Sequence, residues 1–364
     1  MCGIAGFISR QPELSMRIGR QLNEAQRHRG PDDAVEVQVG SSTIGNTRLA
    51  IQEPTPDGNQ PFESRDGRFV CVFNGEIYNY LELIRDHNLS PESRCDGAVI
   101  PELWVRLGER CLSTFRGMYA LAVFDRSTGC TTLARDPFGI KPLYVRRLDE
   151  GLAFASEVRP LAALQHPPRL RPEAVARYLH LGSLGGDESP FEGIEAVPSN
   201  SWVSVDPDAQ CTPYSRILSH EHPLVDMSTV HADGVGAAFR ESVDLHLRSD
   251  VPTALLLSGG VDSAAVASVS RDLGRKLNCV TVSGFEALDE SSDAAATAAH
   301  YGHAHDVVPA RVDTATIDDF FKSMQRPTID GLNTFLVSQA IREAGYKVAL
   351  SGLGGDEALG GYQQ

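Results

Sequence analysis

A cysteine stands directly behind the initiator methionine, in MCGIAGF. With Met1 removed, Cys2 carries a thiol and a free α-amino group on one residue. An α-amine with a pKa of about 7.8 is partly unprotonated near neutral pH and can act as the base for its own thiol. Such a residue attacks a carbonyl without a separate histidine. Alone, a small apolar residue opening a strand is the plainer reading of Cys2; its companions reverse it. NGEIYN supplies the Asn74 side-chain amide and the Gly75 backbone N–H, a donor pair suited to an oxyanion. GNTRLAI places Arg48 in a strand, where a guanidinium can fork onto a carboxylate. Asp96, in SRCDGAV, suits an ammonium group. Together these groups describe a free amino acid with a side-chain amide, which is glutamine. His28, in HRGPDD, reads as a turn residue, and Cys71 and Cys95 as interior thiols.

A second cluster lies far along the chain. LLLSGGVDSAAVA reads as a strand, a Ser-Gly-Gly loop and a helix, whose successive backbone N–H groups form a nest for an anion. It lacks the spacing of a Walker loop. KVALSGLGGDEALGGY is another strand ending in a glycine-rich loop, with Asp356 and Glu357. Carboxylates at two strand ends suit Mg²⁺ shared with phosphates.

The elements that must hold these groups fall into two rhythms. STIGNTRLAIQ, RFVCVFNGEIYNY, MYALAVFD, CTTLARD, GIKPLYV and GLAFAS read as strands, and DGAVIPELWVRLGERCLSTF as a helix. This predicts an α+β domain with mostly antiparallel sheets over 1–205. A linker is expected at 206–229. From 230 to 364, TALLLSGG, NCVTVSGF and YKVALSG alternate with helical segments, which predicts a doubly wound α/β domain with ligands at the carboxyl ends of its strands.

With 364 residues, two domains are the prior. The net charge of −15 argues against nonspecific nucleic-acid binding, which needs clustered Lys and Arg. Seven cysteines without CxxC pairs suggest neither a disulfide framework nor a zinc site. No apolar run is long enough for a membrane span and no signal peptide precedes Cys2, so a soluble cytoplasmic protein is expected.

MCGIAGF, HRGPDD, GNTRLAI, FNGEIYNY, RGMYALAVFD and RDPFGIKPLY occur in the order seen in class II glutamine amidotransferases, and the chain resembles the asparagine synthetase family. One departure is Ala98, where the family usually has an acidic residue. The resemblance implies an N-terminal nucleophile glutaminase domain with Cys2 as nucleophile and Asn74 with Gly75 on the oxyanion. It implies that Arg48, Asn74, Gly75, Glu76 and Asp96 bind glutamine. SGGVDS resembles the pyrophosphatase loop of adenylating enzymes. By that likeness Ser258, Gly259, Gly260 and Ser263 line the pyrophosphate of ATP, while Asp262 and Asp356 hold Mg²⁺. Leu257, Ser283, Ser351 and Gly352 border the adenine and ribose. The implied activity releases ammonia from glutamine and delivers it to an acyl-adenylate, with aspartate the expected acceptor and AMP and pyrophosphate the by-products. The alternatives are amidation or cyclisation of another carboxylate, and a fragment with glutaminase activity only. Family members continue past the GGDE loop, so the second domain is expected to be incomplete, completed by a partner chain, or part of a homodimer.

Overall fold

The alternation in CGIAGF becomes β1 (Gly3–Ile8), whose six residues are all buried. The computed structural model describes residues 1–218, 231–284 and 290–359. The linker expected at 206–229 thus lies outside the described residues from 219 onward, as does the terminal stretch 360–364. The chain divides into two compact units, Met1–His222 with Gln325–Ile329, and Pro223–Met324 with Asp330–Gln364.

In the first unit the further strands are β2 (Asp33–Val39), β3 (Ser42–Arg48), β4 (Phe62–Glu63), β5 (Phe69–Ile77), β6 (Gly117–Asp125), β7 (Thr131–Arg135), β8 (Tyr144–Leu148), β9 (Gly151–Ala155), β10 (Ile194–Ala196), β11 (Ser201–Val205) and β12 (Ser215–Arg216). They form two six-stranded antiparallel sheets, ordered β10-β8-β9-β1-β3-β2 and β12-β11-β7-β6-β5-β4. The period-2 pattern gives the central strands β1, β3, β5, β6, β7 and β9 two largely buried faces. Ile4, Ile8, Ile44 and Phe154 from the first sheet meet Val70, Val72, Ala122 and Leu133 from the second. The outer face of the first sheet, through Ala5, Phe7 and Ala153, packs on Ile18 and Leu22 of helix α1 (Pro12–Glu24). The outer face of the second, through Phe73, Tyr119 and Leu121, packs on Leu83 of α2 (Tyr80–Asp86) and on Val99, Leu103 and Trp104 of α3 (Val99–Leu107). The result is four layers, helix–sheet–sheet–helix. The helix expected from DGAVIPELWVRLGERCLSTF is shorter than its apolar periodicity, because Gly108 turns to φ 57° and ends it.

The second unit has four parallel strands, β13 (Thr253–Leu256), β14 (Asn278–Ser283), β15 (Ala304–Pro309) and β16 (Val348–Leu350), in the order β15-β14-β13-β16. Between them run helices including α4 (Val261–Asp272), α5 (Ser291–Tyr301) and α6 (Gly331–Glu343). The strand β15 was not legible as one: it is a largely exposed edge, and AHDVVP carries no alternation. Among the described residues, no helix is long and apolar enough to cross a membrane.

Candidate active site

At one end of the sheet sandwich the inward-facing positions change from apolar to polar. Along β5 the inner series runs Val70, Val72, Asn74, Glu76; along β3 it runs Ile44, Asn46, Arg48; on the β1 side it runs Ile8, Gly6, Ile4 and then Cys2. The same two-residue period that builds the core therefore delivers these polar groups to its end. They meet in one cavity lined by Met1, Cys2, Arg48, Asn74, Gly75 and Glu76, with Asp96, Gln60, Cys95 and Lys141 completing the wall. All six first-half residues singled out by sequence lie here.

The Cys2 sulfur accepts the Leu49 N–H at 3.4 Å. Arg29 Nε donates to the Cys2 carbonyl at 2.9 Å and its Nη1 to Glu157 at 3.1 Å, which fixes the strand end carrying the thiol. His28 Nε2 also meets Glu157, at 2.9 Å, and is not part of the cavity wall. Asn46 Nδ2 bridges the two sheets, donating to Gly3 O at 3.1 Å and Phe73 O at 3.3 Å.

Asn74 is 1% exposed, and its Nδ2 is buried with no hydrogen-bond partner. An unpaired buried amide costs about 1–3 kcal/mol, which a ligand oxygen would recover. Its neighbour must be glycine, because a Cβ at Gly75 would fall 2.1 Å from the Met118 carbonyl oxygen on the adjacent strand β6.

Two carboxyls stand on the same wall. Asp96 is 3% exposed, and its Oδ2 accepts the Ile77 N–H at 2.7 Å. Burial pushes Asp96 up to about 6, against the opposing pull of the Ile77 N–H. Burial pushes Glu76 up to about 7; the Asp96 charge adds to this and Lys141 opposes it. A buried and a partly buried carboxylate on one wall complement an ammonium group. Because both folded values exceed the unfolded ones, the folded chain holds protons that the unfolded chain has released, and stability falls as pH rises from about 4 to about 7. The melting temperature of the unliganded chain should therefore drop between about pH 4 and about pH 7, and less so in Asp96→Asn. That variant should also bind glutamine poorly. Thermal scans over pH, paired with glutamine KM, check both; an Asp96→Asn chain with the wild-type pH slope and KM would contradict the assignment.

Arg48 is occupied otherwise than the sequence suggested. It is 5% exposed, with Nη1 donating to the Thr55 carbonyl and Asn59 Oδ1 and Nη2 to the carbonyls of Gln52 and Glu53. Its terminal donors thus hold the 52–59 loop over the cavity, instead of standing open for a carboxylate. A Cβ at Gly58 would fall 2.5 Å from the Glu53 carbonyl oxygen, so this loop closes on glycine. Gln60 also escaped the sequence reading: its amide donates to Phe73 O at 2.8 Å and accepts Phe73 N–H at 2.7 Å, as a neighbouring strand would.

In the second unit, the loop Ser258–Gly260 joins β13 to α4 and is exposed. Two serines shape it: Ser258 N–H donates to Ser263 Oγ at 3.2 Å and Gly260 N–H to Ser258 Oγ at 3.2 Å. Gly259 N–H donates to Glu290 Oε2 at 2.8 Å, so an anionic oxygen already sits on this nest. Sequence gave no sign of Glu290. Leu257 is 3% exposed and packs in the core, leaving only its backbone at the strand end. Ser283 ends β14, and Ser351 with Gly352 follows β16. A Cβ at Gly352 would lie 2.8 Å from Asp262 Cβ, and one at Gly355 2.6 Å from Asp262 Oδ2. The loop leading to Asp356 therefore rests on Asp262. Among the described residues no three metal-ligating side chains cluster; Asp262 and Asp356 are carboxylates that could hold a cation beside phosphate oxygens, the kind of donor Mg²⁺ favours.

The family description "Glutamine amidotransferase domain" matches residues 1–215, and "Asparagine synthase" matches 234–364. A protein of Methanocaldococcus jannaschii, provisionally named a glutamine-hydrolysing asparagine synthetase, is 31% identical over the whole chain. The chain belongs to the asparagine synthetase family. A Bacillus subtilis member named asparagine synthetase 1 is 29% identical over the whole chain. A Gibberella zeae relative is named an amidase and is also 29% identical over the whole chain. The chain spans 76% of the first of these relatives and 59% of each of the other two. As the family implies, the four-layer first unit has the N-terminal nucleophile fold, and the second is an α/β unit with a parallel sheet.

Proposed function

We propose that this chain hydrolyses glutamine at Cys2 and uses the ammonia to amidate an adenylated carboxylate. The observation that carries the reading is the buried, unpaired Asn74 amide beside Cys2 and two cation-seeking carboxyls. With Met1 removed, the α-amine takes the thiol proton and the sulfur attacks the carboxamide carbon of glutamine. The oxyanion accepts from Asn74 Nδ2 and Gly75 N–H. The C–N bond then breaks, the amine returns the proton to the leaving nitrogen, and ammonia departs from a glutamyl thioester that water hydrolyses to glutamate. Asp96 and Glu76 hold the substrate ammonium, and Arg48 shapes the pocket through its loop.

In the second unit, the nest at Ser258–Gly260, with Ser263, holds the phosphates of ATP. Asp262 and Asp356 would hold Mg²⁺, which neutralises phosphate charge. The acceptor carboxylate attacks the α-phosphorus, pyrophosphate leaves, and ammonia displaces AMP from the acyl-adenylate. Aspartate is the acceptor that most of the relatives' names support. The Gibberella relative's name favours a second reading, in which the acceptor is a different carboxylate.

Asn74→Ala tests the glutaminase half. Removing one oxyanion donor typically costs about 10²–10³ in kcat. That loss is expected here, with KM for glutamine nearly unchanged. A variant that loses KM and keeps kcat would remove Asn74 from the oxyanion site.

A further inference from the structure

The cavity contains a cation that the scheme above does not use. Lys141 is 6% exposed, in the turn between β7 and β8. Its position is dictated by Asp136, fully buried, whose two oxygens accept the N–H groups of Phe138, Ile140 and Lys141 at 3.0 Å and of Tyr119 at 3.2 Å. Gly139, at φ 64°, lets this turn close around the carboxylate. The Lys141 Nζ meets the Met1 sulfur at 3.5 Å and forms no ion pair among the described residues. A buried ammonium whose contact is a thioether is poorly compensated. If Met1 is excised, even that contact goes, and the ammonium remains on the wall it shares with Cys2.

We propose that Lys141 is a positioning residue for the nucleophile: its ammonium group, set on the cavity wall with Glu76 and Cys2, keeps the terminal amine free of a proton until it takes the one from the thiol, and it stabilises the sulfur anion that this transfer leaves. This rests on Cys2 being the nucleophile. With Met1 in place, the charged groups that bear on its amine are Arg29 and Lys141, which disfavour an ammonium there, and the Cys2 thiol and Asp32, which favour it. Those that bear on Lys141 are Glu76, Cys2 and Asp136, which support its charge, and Arg29, which opposes it. Burial moves the Met1 amine down to about 6, with Arg29 and Lys141 acting in the same direction.

The test is the pH dependence of iodoacetamide alkylation at Cys2, mapped by mass, together with the pH profile of glutamine hydrolysis. In the wild-type chain the alkylation midpoint should lie below the free-thiol value of about 8.5. In Lys141→Met the acid limb of kcat/KM and the alkylation midpoint should both rise by about one unit, so that hydrolysis at the foot of the limb slows about tenfold. Glutamine KM should change little, and Lys141→Arg should restore most of the profile. A Lys141→Met chain with unmoved limb and midpoint overturns the proposal. If that variant does not fold, a wild-type midpoint at or above about 8.5 overturns it by itself. Failure of the underlying assignment looks different: Cys2 would be alkylated without loss of glutaminase activity.

Discussion

Cys2→Ala is expected to lower glutamine hydrolysis by about 10⁴-fold or more, because the reaction then has no atom to carry the glutamyl group. Removing a sulfur at the end of β1 leaves Arg29 on the Cys2-position carbonyl and Asn46 between the sheets, so folding should be little affected. Amide formation supplied with free ammonium should survive, since the residues proposed to bind the nucleotide lie in the second unit and need no thiol. Cys2→Ser should be nearly as inactive as Cys2→Ala, a hydroxyl being far less ionised than a thiol near neutral pH. Glutamine-to-glutamate assays beside ammonium-driven amide assays separate the two halves. Substantial hydrolysis by the alanine variant would remove Cys2 from the chemistry.

The second large effect is expected at Asp262. Its carboxylate stands in the first turn of α4, next to the Ser258–Gly260 nest proposed to hold phosphate, and the Gly355 peptide preceding Asp356 lies against it. Without a cation, this placement would repel the triphosphate. With Mg²⁺ the same negative charge becomes a ligand. Asp262→Ala should therefore abolish ATP-dependent amide formation, by about 10³-fold or more, while glutaminase activity stays. Asp262→Asn should fall nearly as far, because the amide keeps the shape and loses the charge. Pyrophosphate release and glutamate release, measured on the same variant, give the contrast. Parallel losses in both would argue for unfolding, and undiminished pyrophosphate release would take Asp262 out of the nucleotide site.

What the sequence made legible follows from periodicity. Asn74 and Glu76 continue the inner series of Val70 and Val72, so a strand reading of FVCVFNGEI places them on the core side once the sandwich is known. Cys2 is related to Ile4 in the same way. The turn of Gly30 was also readable, and a Cβ there would fall 2.2 Å from the Thr47 carbonyl carbon. What stayed hidden are partners set by tertiary contact. The type of Arg48 suggested a carboxylate fork, yet its donors close a loop, and nothing in GNTRLAI encodes which carbonyls lie nearby. Gln60 imitates a strand from within a loop. Lys141 lies inside RDPFGIKPLY, but a lysine in a polar turn is normally solvated, and only the buried Asp136 shows that this one is turned inward. Glu290 could not be linked to Gly259 across 31 residues by any local pattern.

The central claim is that the chain begins its chemistry at Cys2 after loss of Met1. The most direct measurement is to treat the purified chain with a glutamine-shaped diazoketone that alkylates the attacking atom, and to map the product by mass spectrometry. The account predicts a chain lacking Met1, with one label on the Cys2 sulfur, and loss of glutamine hydrolysis in proportion to labelling. Full hydrolytic activity from a chain that keeps Met1, or a label on any other residue accompanied by the same loss, would contradict it.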